Sequence, residues 1–240
     1  MPPELPRSPA RTTALVSGGK DSIYAAYLAE MQGWPAGELL VMEPEDPDSW
    51  MFHTPNLGVV DLQGQAWGKP VRREKVAAAG PEGETAALQD ALKGNHGPVT
   101  VGAIESSFQW ARVLRAAEAV SRRVYAPMWR VDPRIVVREE LSAGLDVRFA
   151  RVAAEGLPPD WLGERLTLGT VERLERSATR GRGVHVAGEG GEYETVVLDA
   201  PFFSSRVVVD SAETIRRGDQ ASWVIRRAHL EPKGTRPGPG

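Results

Sequence analysis

The sequence predicts an α/β protein: a doubly wound parallel sheet over residues 12–130, then a smaller α+β domain over residues 131–230. Two observations predict it. Short apolar, β-prone runs alternate with helical patterns as far as residue 129, which implies βαβ units and a parallel sheet. Beyond about residue 130 the alternation stops, and strand-like runs follow one another through Gly-rich turns.

Residues 1–11 read as a flexible lead-in. TTALV (12–16) has the form of a buried parallel strand. A turn, SGGKDS (17–22), leads into a helix on which Ile23, Ala26, Tyr27 and Met31 recur at helical spacing, and Gly33 stops it. ELLVM (38–42) is the second strand. Residues 43–58 form a Pro/Asp-rich loop containing MFHTPN (51–56), and another apolar stretch occupies 59–71. A helix is expected over 82–93, a strand over 98–104, and a strong helix from Glu105 onward, with serines at its start to cap free amides. VYAPMW (124–129) reads as a short strand. Further on, 145–154, 184–187, 195–199 and 206–209 are strand-like, while WLGERL (161–166) and TVERLERSA (170–178) are helical. The Pro/Gly-rich tail, 231–240, is expected to be disordered.

Of the 240 residues, 41% are hydrophobic and 25% charged, with a net charge of −3. No basic excess points to direct nucleic-acid binding. No apolar run approaches the roughly 18 residues of a membrane span. The first residues lack the apolar core of a secretory signal, so the expected compartment is the cytoplasm. There is no cysteine, which excludes disulfides, thiolate metal sites and cysteine nucleophiles.

Two clusters carry the chemistry. In the first, Ser17, Gly18, Gly19, Lys20, Asp21 and Ser22 lie between a strand and a helix. The glycines let backbone amides approach an anion, and the helix aims its free amides and positive end at the same place. Ser17 and Ser22 add hydroxyls and Lys20 a charge; Asp21 orients the loop or helps hold Mg²⁺. On this reading Lys20→Ala weakens ATP use with little effect on folding. The spacing is not that of a Walker A loop. In the second cluster, Gly188, Gly190 and Gly191 alternate with Glu189, Glu192 and Glu194, with Tyr193 and Thr195 beside them. Three carboxylates in six residues are costly to crowd unless cations compensate them. A surface hairpin with outward-pointing side chains is the competing reading.

SGGKDS matches the PP-loop of ATP pyrophosphatases, and GEGGEYET followed by VLDAPFF resembles the signature of the diphthine–ammonia ligase (diphthamide synthase) family. MFHTPN, GAIESSFQ (102–109) and WLG (161–163) resemble the same family in the same order, so the likeness spans residues 12–210. Phe108 stands where the family usually has Tyr. The resemblance implies a PP-loop, adenine-nucleotide-hydrolase-like domain and a smaller domain that closes over it. It implies that ATP, with Mg²⁺, adenylates the carboxylate of a modified histidine on elongation factor 2, and that ammonium then yields the amide, AMP and pyrophosphate. It places His53 and Gly102 near the nucleotide and Glu105, Ser106 and Gln109 near the substrate. His53 reads equally well as a loop residue making one hydrogen bond. The cysteine-free composition disfavours sulfur transfer and a built-in glutaminase, which leaves free ammonium as the nitrogen source. The acidic turn, with Tyr193, suits the two cations of that reaction, ammonium and a quaternary ammonium. An amide-forming ligase acting on another carboxylate, or a sensor that binds ATP or AMP without turnover, remains open, and pyrophosphate release separates enzyme from sensor. A homodimer is a further expectation that no motif specifies.

Overall fold

A computed structural model describes residues 11–45, 49, 52, 56–77, 80–94, 97–153, 157, 159–179 and 184–234. In chain order its elements are β1 (Thr12–Leu15), α1 (Lys20–Met31), β2 (Ala36–Pro44), α2 (Val59–Trp67), β3 (Val71–Val76), α3 (Gly80–Leu92), β4 (Val99–Thr100), α4 (Ser107–Ala119) and β5 (Val124–Tyr125). Then come α5 (Pro133–Ser142), β6 (Asp146–Val152), a 3₁₀ turn (Pro159–Trp161), α6 (Leu168–Thr179), β7 (Tyr193–Asp199), β8 (Ser205–Arg217) and β9 (Gln220–Pro232).

The first five strands form one parallel sheet in the order β3-β2-β1-β4-β5. Alternate residues of β2 show how it is covered. Leu40 and Met42 pack with Leu88 and Leu92 of α3 and Val113 and Ala117 of α4. Leu39 and Val41 pack with Ala26 of α1 and Val60 of α2 on the other face. The sheet is therefore doubly wound. Its strand order reverses between β1 and β4, where open α/β sheets bind ligands beyond the strands' carboxyl ends. The loop after β1 is SGGKDS.

The last four strands form a separate antiparallel sheet, β7-β6-β9-β8. The two halves share a core. Ile23 and Tyr24 of α1 are buried with Val136 and Val137 of α5 and with Phe149, Trp161 and Tyr193. Phe202, from the VLDAPFF segment, stacks on Tyr27 of α1 at 4.4 Å between ring centres and lies 4.5 Å from Trp67 of α2.

Several local expectations are corrected. The strand expected over 98–104 is only Val99–Thr100; Val101 still bonds to Tyr125, and the chain then leaves the sheet. WLGERL is not helical beyond its 3₁₀ turn: Gly163 donates to Phe149 O, and Leu162 and Arg165 bridge to β6 instead. Residues 184–187 form no strand, because the His185 ring accepts bonds from the amides of Ala187 and Glu189 and curls the chain. β9 extends through Pro232, into the segment expected to be disordered; residues 235–240 lie outside the described residues. Helix α5 went unread although it begins with a clear signal, Asp132 capping the Arg134 amide ahead of a helix-starting Pro133. Among the described residues, no helix is long and apolar enough to cross a membrane.

Phe149 is fully buried, 5.0 Å from the Trp161 ring and 5.2 Å from that of Tyr193. Phe149→Ala is expected to lower stability by about 3–5 kcal/mol, read from the midpoint of urea unfolding.

Candidate functional site

The 17–22 loop starts from a strand end pinned to the sheet, since Val16 N donates to Leu40 O. Gly19 at the cap of α1 brings no side-chain acceptor of its own, so the amides beyond Lys20 N are left to an anion. Ser22 Oγ accepts from Ser17 N at 3.2 Å and donates to Gly19 O at 3.1 Å, so the turn holds its own shape. Gly102 is required on steric grounds. A Cβ there would lie 2.6 Å from Asp21 C and Ser22 N, so only glycine lets the loop after β4 pass this close to α1.

The second sheet braces the loop from below. Gly18 O accepts from Val197 N at 2.9 Å and from Gln63 Nε2 at 3.0 Å, and Gln63 also donates to Val197 O. Lys20 N donates to Thr195 Oγ1 at 3.1 Å, which commits that hydroxyl to the loop. Asn56 ties MFHTPN to β9, donating to Trp223 O and accepting from Ile225 N. His53 lies outside the described residues.

Lys20 does not face the cleft. It is 1% exposed, and its ammonium bonds Asp21 Oδ1 at 2.6 Å and Ala187 O at 3.0 Å and lies 3.7 Å from Glu140 Oε2. Burial by itself would depress its pKa, but Asp21 and Glu140 outweigh burial and raise it. For Glu140, fully buried, burial is the largest influence and pushes its pKa well up, against the pull of Lys20. The sequence reading gave Lys20 to the phosphates and left out Glu140 and Gln63; neither belongs to a motif.

The acidic turn faces the loop, but its side chains divide. Glu189 Oε2 accepts from Glu105 N at 2.9 Å and Ser106 N at 2.7 Å, crossing to the start of α4, where Ser106 Oγ caps the Gln109 amide. Glu192 turns inward: its Oε1 accepts from His185 N at 2.9 Å, so it closes its own turn and is not presented to a ligand. Glu194 is buried and paired with Arg151 at 2.9 Å. Tyr193 is also buried, with its hydroxyl on Val186 O and its ring against Phe149, so the ring serves packing and not an open cation site. Gly188 has φ 78, and a Cβ there would lie 2.7 Å from Tyr193 O, which accounts for a glycine at the start of the turn; Gly190 and Gly191 complete it. His185 Nδ1 accepts two amides, so its proton sits on Nε2 and is donated to Glu105 Oε2 at 3.0 Å.

Two hollows meet at this loop. One, of about 820 Å³, has Ser17, Asp21 and Ser22 at one end and an apolar slot of Leu15, Met42, Phe52, Val101 and Trp110 beyond, with Gly102 and Gln109 in its wall. Phosphate donors adjoining an apolar slot fit a nucleotide. The second hollow is smaller and acidic, lined by Ser17, Asp21, Gln109, Glu189 and Glu194. Among the described residues, no three His, Asp or Glu side chains form a cage for a metal ion. Mg²⁺ commonly uses one or two carboxylates plus substrate phosphates. Asp21 fits that role with one oxygen, since the other holds Lys20.

Family profiles match nearly the whole chain: diphthamide synthase N-terminal domain over residues 10–124, and diphthamide synthase C-terminal domain over residues 132–230. The rat diphthine–ammonia ligase is 32% identical over 230 residues, covering 85% of each chain. The zebrafish (Danio rerio) enzyme of the same name is 32% identical, covering 88% of this chain and 91% of its own. The human one is 31% identical, covering 93% of each. A solved structure from Methanocaldococcus jannaschii, described as a predicted subunit of tRNA methyltransferase, overlaps with a TM-score of 0.45 at 11% identity, over 80% of this chain and 98% of that one.

Removing one partner of a buried ion pair costs about 3–5 kcal/mol, because the other charge is left uncompensated. Lys20→Ala is therefore expected to destabilise the fold by that amount, contrary to the sequence reading. Lys20→Met combined with Glu140→Leu is expected to cost less than the two single changes added together. Thermal and urea unfolding of the wild type, the three single variants and the double variant check this.

Proposed function

The chain belongs to the diphthamide synthase family, and from that premise we propose that it is an ATP-dependent ligase that amidates diphthine on elongation factor 2 with ammonium. The observation that carries the proposal is the adjacency of the two hollows, a cleft with hydroxyl groups at one end and an apolar slot beyond, and an acidic hollow, which share Ser17, Asp21, Gln109 and Glu189. Such a site brings an activated carboxylate and a cationic nitrogen source within reach of each other.

Two steps are required. The substrate carboxylate attacks the α-phosphorus of ATP and pyrophosphate leaves, giving an acyl-adenylate. Nitrogen then attacks the acyl carbon, and the bond to the phosphate oxygen breaks with its electron pair on AMP. Two protons leave the nitrogen in the process. In the first step the role of this chain is to position: the amides that follow Lys20 at the start of α1, with the Ser17 hydroxyl, hold phosphate oxygens, while Ser22 keeps the turn in shape. When bound, Mg²⁺ beside Asp21 supplies charge neutralisation to those phosphates. In the second step Glu189 is the carboxylate best placed to hold ammonium and accept its proton, because it lines both hollows. Glu194, held by Arg151, adds negative charge beside it.

Purified protein incubated with diphthine-bearing elongation factor 2, ATP, Mg²⁺ and ammonium is expected to yield the amide by mass spectrometry, together with AMP and pyrophosphate. ADP with orthophosphate would place it in another mechanistic class. Glu189→Gln is expected to slow amide formation by about 10²-fold or more, with ATP still bound; amidation at the wild-type rate would remove Glu189 from this role.

A further inference from the structure

His185 stands outside the linings of the two hollows at the phosphate loop, yet each of its polar atoms is engaged. Its amide donates to Glu192 Oε1 at 2.9 Å, and its carbonyl accepts from Gly188 N at 3.0 Å. Ring Nδ1 accepts from Ala187 N at 3.2 Å and from Glu189 N at 3.3 Å, and ring Nε2 donates to Glu105 Oε2 at 3.0 Å. These bonds close a circuit of three residues. The Glu105 amide donates to the Glu189 carboxylate, the Glu105 carboxylate accepts from the His185 ring, and the ring accepts from the Glu189 amide. Glu189 is thus held at its main chain by one of these residues and at its carboxylate by the other.

We propose that His185 is a positioning residue for the amidation step: its Nδ1 acceptor fixes the main chain from which Glu189 reaches the two hollows. The inference rests on the amidation reading, in which Glu189 holds ammonium and accepts its proton, and adds the residue that keeps Glu189 in place.

The geometry shows why the ring matters to Glu189 in particular. Two amides two residues apart share one acceptor only where the chain curls, and Gly188 between them takes φ 78, which glycine adopts at no steric cost. Ala187 has a second anchor, because its carbonyl accepts from Lys20 Nζ at 3.0 Å. The Glu189 amide is tied to the ring. Loss of the acceptor therefore leaves Ala187 in place and frees the main chain of Glu189. A group that accepts a proton in the reaction must stay within hydrogen-bond reach of it, so a loosened Glu189 slows that step. The two ring nitrogens are separable by substitution. Asn sets an oxygen where Nδ1 stands, as in turns where an Asn side chain bonds the amide two residues on, and it gives up the bond to Glu105. Gln reaches to the level of Nε2, so it keeps a donor for Glu105 and gives up the acceptor near the amides.

The test uses the full chain with diphthine-bearing elongation factor 2, ATP and Mg²⁺. Exchange of labelled pyrophosphate into ATP without ammonium reads the first step alone, and mass spectrometry with ammonium reads amide formation. His185→Ala and His185→Gln are expected to slow amide formation by about tenfold or more while pyrophosphate exchange continues at the wild-type rate. His185→Asn is expected to recover most of the amide-forming rate. Amide hydrogen exchange over residues 185–192, followed without substrate, is expected to be slow in the wild type and in His185→Asn and faster in the other two; melting temperatures check that the variants fold. Equal loss of both steps in His185→Ala would reduce the residue to a structural one. A His185→Gln variant that matches the wild type while His185→Asn fails would move the role to Nε2 and overturn the proposal. Rapid exchange of the Ala187 and Glu189 amides in the wild type would overturn it without any variant. Failure of the amidation reading looks different: the wild type itself forms no amide, and the positioning role for that step falls with it, whatever the hydrogen exchange.

Discussion

The buried ammonium of Lys20 is the constraint on which the rest of the structure depends. An ammonium held away from water is costly unless charge and hydrogen bonds replace its hydration. Here Asp21, Ala187 O and Glu140 replace it. The three come from α1, the acidic turn and α5, so satisfying one cation fixes the relative position of three segments that are distant in sequence. Asp21 is in the phosphate loop, and Ala187 lies two residues before Glu189. The charge pairing that stabilises the core therefore also sets the spacing across the two hollows at this loop.

The phosphate loop is consequently a product of both halves of the chain. β1 and α1 form it, but β7 holds its underside through Thr195 and Val197, with Gln63 bridging to Gly18. The aromatic stack of Tyr27, Phe202 and Trp67 closes the same junction farther along α1 and α2. A loop that must receive a highly charged nucleotide gains from such bracing, since donors already held in place need little reorganisation when the ligand arrives. The slot beyond it presents Met42, Phe52 and Trp110 as an apolar lining next to those donors.

The acidic turn shows how one short segment serves folding and chemistry together. Crowded carboxylates repel each other, and the fold relieves this by giving them different partners. Glu192 closes the turn on His185 N, Glu194 takes Arg151, and Glu189 reaches the amides at the start of α4. Of these three, only Glu189 both crosses between the halves and lines the two hollows. Its bonds to the Glu105 and Ser106 amides hold it oriented at the start of α4, beside the cleft.

Much of this protein was legible in the sequence, because its signals are local. Alternating apolar runs and helical spacing marked the parallel sheet, and Gly18-Gly19 between strand and helix marked an anion loop, since backbone reach and helix ends depend on neighbouring residues only. The ordered motifs pointed to the family for the same reason. Local pattern failed where hydrogen-bond partners lie far along the chain. The turn at 184–187 curls on a histidine ring, and the segment after Trp161 bonds β6 instead of itself. Gln63 and Glu140 have no motif at all. The sequence by itself determined that a glycine turn joins strand to helix at 17–22 and where carboxylates are concentrated. Only the tertiary structure decided that Lys20 is a buried tether, that Glu192 and Tyr193 serve the fold, and that Glu189 faces the cleft, because a charged side chain's role follows from which opposite charges and amides burial brings to it.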